Sequence, residues 1–331
     1  MKTKKINVLV YEGCMGSEVF GFCDTLLLAN RVASSIRGAA AEPLFNVRVT
    51  SLAGGVVWAA GGLTIGTQKF RVSTDLLVIP GMDVSDRSGC AHPHEHLAAV
   101  VKAIGRSFAR GAPVASMCIG AFLLGEAGLL DGRRVTTAWM FADDLARRFP
   151  LARVDSAALV MEDSGITTTG SFTATFDLAM ELIRQTATPK EARAVERIAL
   201  LNQRHSQAAY VDTSMIARPS GRFSDRVHHW LCERLAAPYD LTTLAAAFHI
   251  SARTMLRRVK AETGRTPLEY LQSARIDTAK RLLESEELSV AQITERVGYI
   301  DVTTFSTLFK RFTGQSPSQY RRSFKFKIIN D

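Results

Sequence analysis

The sequence predicts two domains: an α/β domain with a mostly parallel sheet flanked by helices, then an all-α domain with two helix-turn-helix units. Three observations carry this. Up to about residue 188, short β-rich runs alternate with stretches whose apolar residues recur at helical spacing, the pattern of a parallel sheet covered by helices. From Phe223 onward the strand signals stop and helical periodicity runs to the end. Within that end, Gly264-x-x-Pro267-x-x-Tyr270 recurs fifty residues later as Gly314-x-x-Pro317-x-x-Tyr320. A chain of 331 residues also exceeds the size at which one hydrophobic core keeps growing.

Taken in order, residues 6–11, 45–52, 76–80 and 113–117 read as strands, and residues 18–31 and 95–110 between them as helices. After Asp131-Gly132 come a helix over 141–149, strands over 157–161 and 166–169, and a long helix over 173–184, which closes the sheet domain near Thr188. Residues 189–201 read as a further helix, and 202–222 have the Ser, Gly, Arg and Pro content of a connector. The expected division is therefore 1–188, an interdomain helix and linker over 189–222, and 223–331.

Composition narrows the function. Net charge is +9, and residues 221–331 hold 18 basic against 12 acidic residues, so the carboxyl-terminal part is where nucleic acid would bind. The five cysteines are irregularly spaced with no CxxC pair, which argues against a disulfide scaffold or zinc ribbon. No stretch reaches the roughly 18 uncharged apolar residues of a membrane span, and the amino terminus runs straight into a strand. The expectation is a cytoplasmic protein with reduced thiols and no membrane partner.

In the repeated units, the apolar pair Met255 and Val259 recurs as Phe305 and Phe309, whereas Leu244 matches Ile293 at an offset of 49, which puts one extra residue in the second turn. Each unit is a short helix, a tight turn and a second helix. Burying Met255 and Val259 turns Arg253, Arg257 and Lys260 outward with Leu256 beside them. That face suits a major groove, since arginine pairs bidentately with guanine and lysine serves phosphate. The matching face of the second unit offers Thr303, Ser306 and Thr307, then Lys310 and Arg311. Residues 241–324 resemble the DNA-binding domain of AraC-family transcription regulators. The resemblance implies two units joined by a rigid helix, about 267–283, that enter successive major grooves on one DNA face. Thr294 departs from the small alanine usual in the family and is expected to loosen the second unit slightly.

In the first domain, S-M-C-I-G-A-F at 116–122 ends an apolar run at Cys118. A strand turning sharply there into a helix near Ile119 makes a nucleophile elbow, with Gly120 allowing close backbone approach. A thiol at the positive end of a helix should have a lowered pKa, but catalysis also needs a proton acceptor in reach.

The stretches "SEVFGFCDTLLLAN", "DLLVIPGM", "VASMCIGAFLLGEAGLLDGRRVTTAW" and "DSGITTTGSFTATFDLAMELI" resemble the PfpI-like domain, a relative of class I glutamine amidotransferases, in the GlxA-type form fused to AraC-type domains. The resemblance covers about residues 5–190 and implies a flavodoxin-like sheet. It also implies a pocket in which Glu18 faces the elbow and the N–H groups of Gly81 and Ile119 form an oxyanion-type hole. Enzymatic relatives often carry histidine after the cysteine, where this chain has Ile119, and fused regulators usually carry it before the tryptophan, where this chain has Ala138 before Trp139. Both departures favour a ligand pocket at Cys118, Ile119, Glu18, Gly81, Ala138 and Trp139 without catalysis, over a thiol enzyme or a merely packed cysteine. One cluster could overturn that: Cys90, His92, His94 and His96 follow the Pro80-Gly81 turn and could bind zinc or bring an imidazole to Cys118.

The expected function is a transcription regulator whose PfpI-like domain senses a small metabolite and controls the DNA-binding domain, with residues 202–207 as the coupling element. The competing reading is a thiol-dependent amidase or glyoxal-processing hydrolase tethered to DNA; a third is a DNA-binding protein with a vestigial or oxidation-sensing first domain. Expected partners are double-stranded promoter DNA, a small effector and RNA polymerase, with homodimerisation through the first domain and no cofactor or metal. By resemblance, the effector belongs among nitrogen-containing metabolites.

Overall fold

A computed structural model describes residues 3–83, 97–212, 215 and 222–325. It divides into two compact units, Met1–Gln207 and Ala208–Asp331.

The strands of the first unit are β1 (Lys4–Leu9), β2 (Phe45–Ser51), β3 (Gly55–Trp58), β4 (Thr64–Lys69), β5 (Leu76–Ile79), β6 (Val114–Ser116), β7 (Arg134–Val135), β8 (Arg153–Val154), β9 (Val160–Asp163) and β10 (Ile166–Thr169). Eight form one sheet in the order β3-β4-β2-β1-β5-β6-β10-β9, with β7 and β8 paired on their own. The pairings from β4 through to β10 are parallel, and the edge pairs β3/β4 and β9/β10 are antiparallel. Central β5, L-L-V-I, is buried at every position, as expected of a parallel strand covered on both faces. The β3–β4 hairpin escapes the sequence reading because its glycines resemble a loop. Its turn uses Gly61 and Gly62 at φ 74° and 78°, the left-handed region glycine enters without penalty.

Helix α1 (Gly16–Arg37) buries Val19, Phe22, Leu26, Ala29, Val32 and Ala33, a stripe at helical spacing. It packs on α5 (Ala174–Thr186) and α6 (Pro189–Ile198). By length and composition α1 could cross a membrane, which the sequence reading had not anticipated, but its buried stripe is that of a core helix. The other helices of this unit are α2 (Ala98–Ala109), α3 (Ala121–Glu126) and α4 (Ala142–Arg148).

Helix α6 was expected between the domains, yet it belongs to the first unit. Thr188 and Glu191 form a capping box at its start. The buried Glu191 carboxylate also takes Arg37 of α1 at 2.5 Å, and that guanidinium holds its pKa down to about 2. A buried carboxylate without its cation is costly, so the pair fixes α6 on α1. The chain stays on this unit as far as Gln207, with Arg204 paired to Asp177 and Ser206 Oγ donating to the Ala157 carbonyl at 2.6 Å.

The second unit is helical: α7 (Phe223–Glu233), α8 (Leu241–Ala247), α9 (Ala252–Thr263), α10 (Pro267–Ser285), α11 (Val290–Arg296), α12 (Val302–Thr313) and α13 (Pro317–Phe324). It has two small cores, one around Val227, Leu244, Met255, Val259 and Leu271 and one around Ile276, Leu283, Ile293, Phe305, Phe309 and Tyr320. Helix α10 supplies side chains to both. Ala209 is buried in the second core, and the buried Lys280 amine donates to the carbonyls of Ala208 (3.2 Å) and Val211 (2.6 Å). A fragment starting at Phe223 would strip the ammonium of both acceptors. A hydrogen bond to a charged group contributes about 1.5–3 kcal/mol, so a fragment starting at Ala208 should be the more stable by about 2 kcal/mol or more in denaturant unfolding. Coincident unfolding curves would show that residues 208–222 add nothing to the fold.

Candidate functional site

The elbow forms where the sequence places it. Strand β6 runs into Met117 in extended conformation, Cys118 turns the chain at φ 51°, and a single 3-10 turn (Cys118–Gly120) leads into α3. A non-glycine residue at positive φ is strained and is held by its surroundings. Here the Cys118 N–H donates to Thr169 Oγ1 (3.3 Å) and its carbonyl accepts from Thr137 Oγ1 (2.9 Å). A Cβ at Gly120 would lie 2.7 Å from the Pro80 carbonyl, so glycine there permits the approach of the β5 end. The site therefore sits at the carboxyl edge of β5, β6 and β10, the usual crevice of an open α/β sheet.

Glu18, from the first turn of α1, is fully buried (0% exposed). Its Oε2 accepts the Gly81 N–H at 2.7 Å. The other oxygen, Oε1, faces the Cys118 thiol and among the described residues has no partner in hydrogen-bond geometry. A side chain at Gly81 would meet both the Glu18 carboxyl, at 3.1 Å, and the Cys118 Cβ, at 3.2 Å. Glycine leaves both groups their close approach without displacing either.

Burial dominates the electrostatics. It raises the Glu18 pKa to about 7, while the Gly81 N–H and the nearby Cys118 thiol pull the other way. Desolvation, then the neighbouring Glu18 charge, pushes the Cys118 thiol up to about 12, although the N–H groups of Phe172 and Ile119 pull the other way. The expected lowering by a helix end is thus reversed. The reason is visible in the fold: α3 spans six residues, so its dipole is weak, whereas a carboxyl buried beside the sulfur disfavours the thiolate directly.

A further expectation changes. The Gly81 N–H is taken up by Glu18 and does not contribute to an open oxyanion-type hole, because a buried carboxyl must find a donor. Its place beside the sulfur is filled by the Phe172 N–H, together with that of Ile119. Phe172 itself has φ 22°, and the only hint of its role lay in the G-S-F-T turn after β10. Ile119, Ala138 and Trp139 are buried, the last two directly after Thr137, whose hydroxyl holds the elbow. Cys118 is half-buried. Cys90, His92, His94 and His96 lie outside the described residues.

The duplicated units share more than their hydrophobic pairs. Ser251 caps α9 through the Thr254 N–H, and Asp301 caps α12 through the Thr304 N–H. Gly264 and Gly314 end these helices in left-handed conformation at φ 73° and 76°. Capping boxes at Thr266/Glu269 and Ser316/Gln319 then start the next helices. The turns differ as the offset required: His249 supplies the positive φ in the first and Gly298 in the second. A Cβ at Gly298 would sit 2.7 Å from Ala236 Cα. Thr294 is accommodated, since its own hydroxyl is satisfied by the Val290 carbonyl at 2.8 Å.

Met255, Val259, Phe305 and Phe309 are fully buried. That leaves Arg253, Leu256, Arg257 and Lys260 on the exposed side of α9, and Thr303, Thr307, Lys310 and Arg311 exposed with Ser306 half-buried on α12. Among the described residues, Arg253, Arg257 and Lys260 form no ion pair within 4 Å, while neighbouring Arg258 is held over the Phe223 ring (4.1 Å) and near Glu262 (3.5 Å). Free and engaged cations thus separate onto different sides of one helix.

Comparison with known proteins agrees with both halves. The DJ-1/PfpI family matches residues 5–185 and a helix-turn-helix domain matches residues 244–323. The chain is 27% identical over 294 residues to the HTH-type transcriptional regulator GlxA of Rhizobium meliloti, covering 86% of this chain and 87% of that one. It is 26% identical over 325 residues to the HTH-type transcriptional regulator CdhR of Pseudomonas aeruginosa, covering 94% and 90%. Among solved structures, Drosophila melanogaster DJ-1beta is similar over 61% of this chain and all of that one, at 18% identity and a TM-score of 0.48. The chain belongs to the DJ-1/PfpI family, in the form that carries an AraC-type helix-turn-helix domain at its carboxyl end.

Proposed function

We propose that the protein is a cytoplasmic, sequence-specific transcription regulator whose DJ-1/PfpI domain binds a small metabolite at the Cys118 elbow and thereby adjusts DNA binding by the tandem units. The observation that carries it is the paired set of recognition helices. Both are held by duplicated cores and caps, and both turn outward side chains suited to a major groove: Arg253, Arg257 and Lys260 on one, Thr303, Thr307, Lys310 and Arg311 on the other.

The pocket reads as a binding site. A thiol raised to about 12, by burial first, is almost wholly protonated at neutral pH, and among the described residues the groups that perturb it are Glu18 and two backbone amides. Ile119 and Ala138 stand where the resemblance would place a histidine base. Nucleophilic catalysis requires the thiolate or an adjacent base, so the hydrolase reading is not favoured. The effector is a small metabolite of the nitrogen-containing class; dimerisation through the first domain and contact with RNA polymerase complete the proposal.

The test is to select genomic fragments with the purified full chain and repeat the selection with a panel of amino acids and quaternary amines. Enrichment of a defined motif, altered by at least one compound, is the expected result. Unselective binding would overturn the regulator reading. Thiol-dependent hydrolysis of an amide or aldehyde, lost in Cys118→Ala, would establish the enzyme instead.

A further inference from the structure

Gln207, the last residue of the first unit, is a polar side chain only 2% exposed. Its Oε1 accepts the Ser171 N–H at 3.1 Å. Its Nε2 donates to the carbonyls of Thr137 (2.8 Å) and Ala158 (3.1 Å), with Thr136 Oγ1 at 3.4 Å. Its backbone N–H donates to the Ala157 carbonyl at 2.9 Å. A Cβ on Gly170 would lie 2.6 Å from the Gln207 amide, so the absence of a side chain there makes room for it.

Two of these partners, Thr137 and Ser171, lie in the loops that hold the elbow. Thr137 donates its hydroxyl to the Cys118 carbonyl, and Ser171 directly precedes Phe172, whose N–H is directed at the sulfur. A displacement of either loop must stretch or break a hydrogen bond of Gln207, and a buried amide stripped of its partners is costly. The next residue is anchored just as firmly to a different body. The Ala208 carbonyl accepts from Lys280, on the helix α10 that supplies both cores of the DNA-binding unit. The two anchored residues are consecutive in the chain.

We propose that Gln207 is the positioning residue through which occupancy of the Cys118 pocket and DNA binding influence each other. This rests on the regulator reading above. Because coupling between two sites is reciprocal, it can be read without knowing the effector: binding of DNA must alter the pocket.

The experiment uses the full chain, a duplex bearing its selected motif, and iodoacetamide, with Cys118 alkylation followed by peptide mass mapping. In the wild type, saturating duplex should change the Cys118 rate by about fivefold or more. Gln207→Ala should bind the duplex but lose most of that change, whatever its rate without DNA. Gly170→Ala, which displaces the same side chain without altering it, should do likewise and serves if Gln207→Ala does not fold. Ser206→Ala removes a hydrogen bond of the same segment that touches neither elbow loop, and it should respond as the wild type does. A wild type that binds its duplex with no change at Cys118, or a Gln207→Ala protein with the full response, overturns the inference. Failure of the wild type to select any duplex overturns the regulator reading beneath it.

Discussion

Glu18→Gln should flatten the dependence of stability on pH between about 4.5 and 7 and leave the protein more stable than wild type at pH 8. The folded-state pKa of Glu18 is raised from 4.5 to about 7. Between those values the unfolded chain has already released its proton while the folded protein still holds it. Stability therefore falls as pH rises through this window, since the native state binds more protons there. The full shift corresponds to roughly 3 kcal/mol. Glutamine keeps an acceptor for the Gly81 N–H and cannot ionise, so most of that loss should disappear. Denaturant unfolding of both proteins at pH 5 and pH 8 isolates the effect, because all other titrating groups are shared. Parallel pH slopes would show that Glu18 is not the buried acid described here. The same substitution removes the charge that helps raise the Cys118 thiol, so alkylation of Cys118 should accelerate.

That electrostatic reversal marks where the sequence could and could not be read. The elbow itself was legible, because an apolar run, a cysteine and Gly120 describe one local turn. The direction of the Cys118 pKa was not, because Glu18 lies a hundred positions away in the chain and the desolvation it imposes exists only in the folded protein. The Gly81 N–H was misassigned for the same reason. Gln207 was inside the stretch expected to couple the domains, yet its burial against Thr137 and Ser171 has no periodicity to reveal it. The helix 189–198 was seen as a helix, but its place on the first unit depends on partners distant in the chain, Arg37 for Glu191 and the core that takes Ala192 and Val195. The tandem units were the most legible part: duplicated residues repeat caps, turns and core together, so each copy serves as a check on the other.

The largest effect on function should come from Arg253→Ala combined with Arg257→Ala. Both side chains project from the exposed side of α9, whose orientation is fixed by fully buried Met255 and Val259 and by the Ser251 cap. A bidentate arginine–guanine contact discriminates by about 1–3 kcal/mol, and the two sites are one helical turn apart, so the double variant should lose roughly thirtyfold to ten-thousandfold in affinity for its selected motif. Its unselective binding should persist, because phosphate contacts from residues such as Lys310 remain. Lys310→Ala should do the reverse, weakening all sequences alike and reducing the salt slope by about one. Arg258→Ala is the control: its guanidinium stacks on Phe223 and pairs with Glu262, so it should lower stability and leave base preference intact. Titrations of each variant against the motif and a scrambled duplex at several salt concentrations separate these outcomes. If the double arginine variant kept its sequence preference while Arg258→Ala lost it, the helix would present its other side to DNA, and the cation over Phe223 would be the reader.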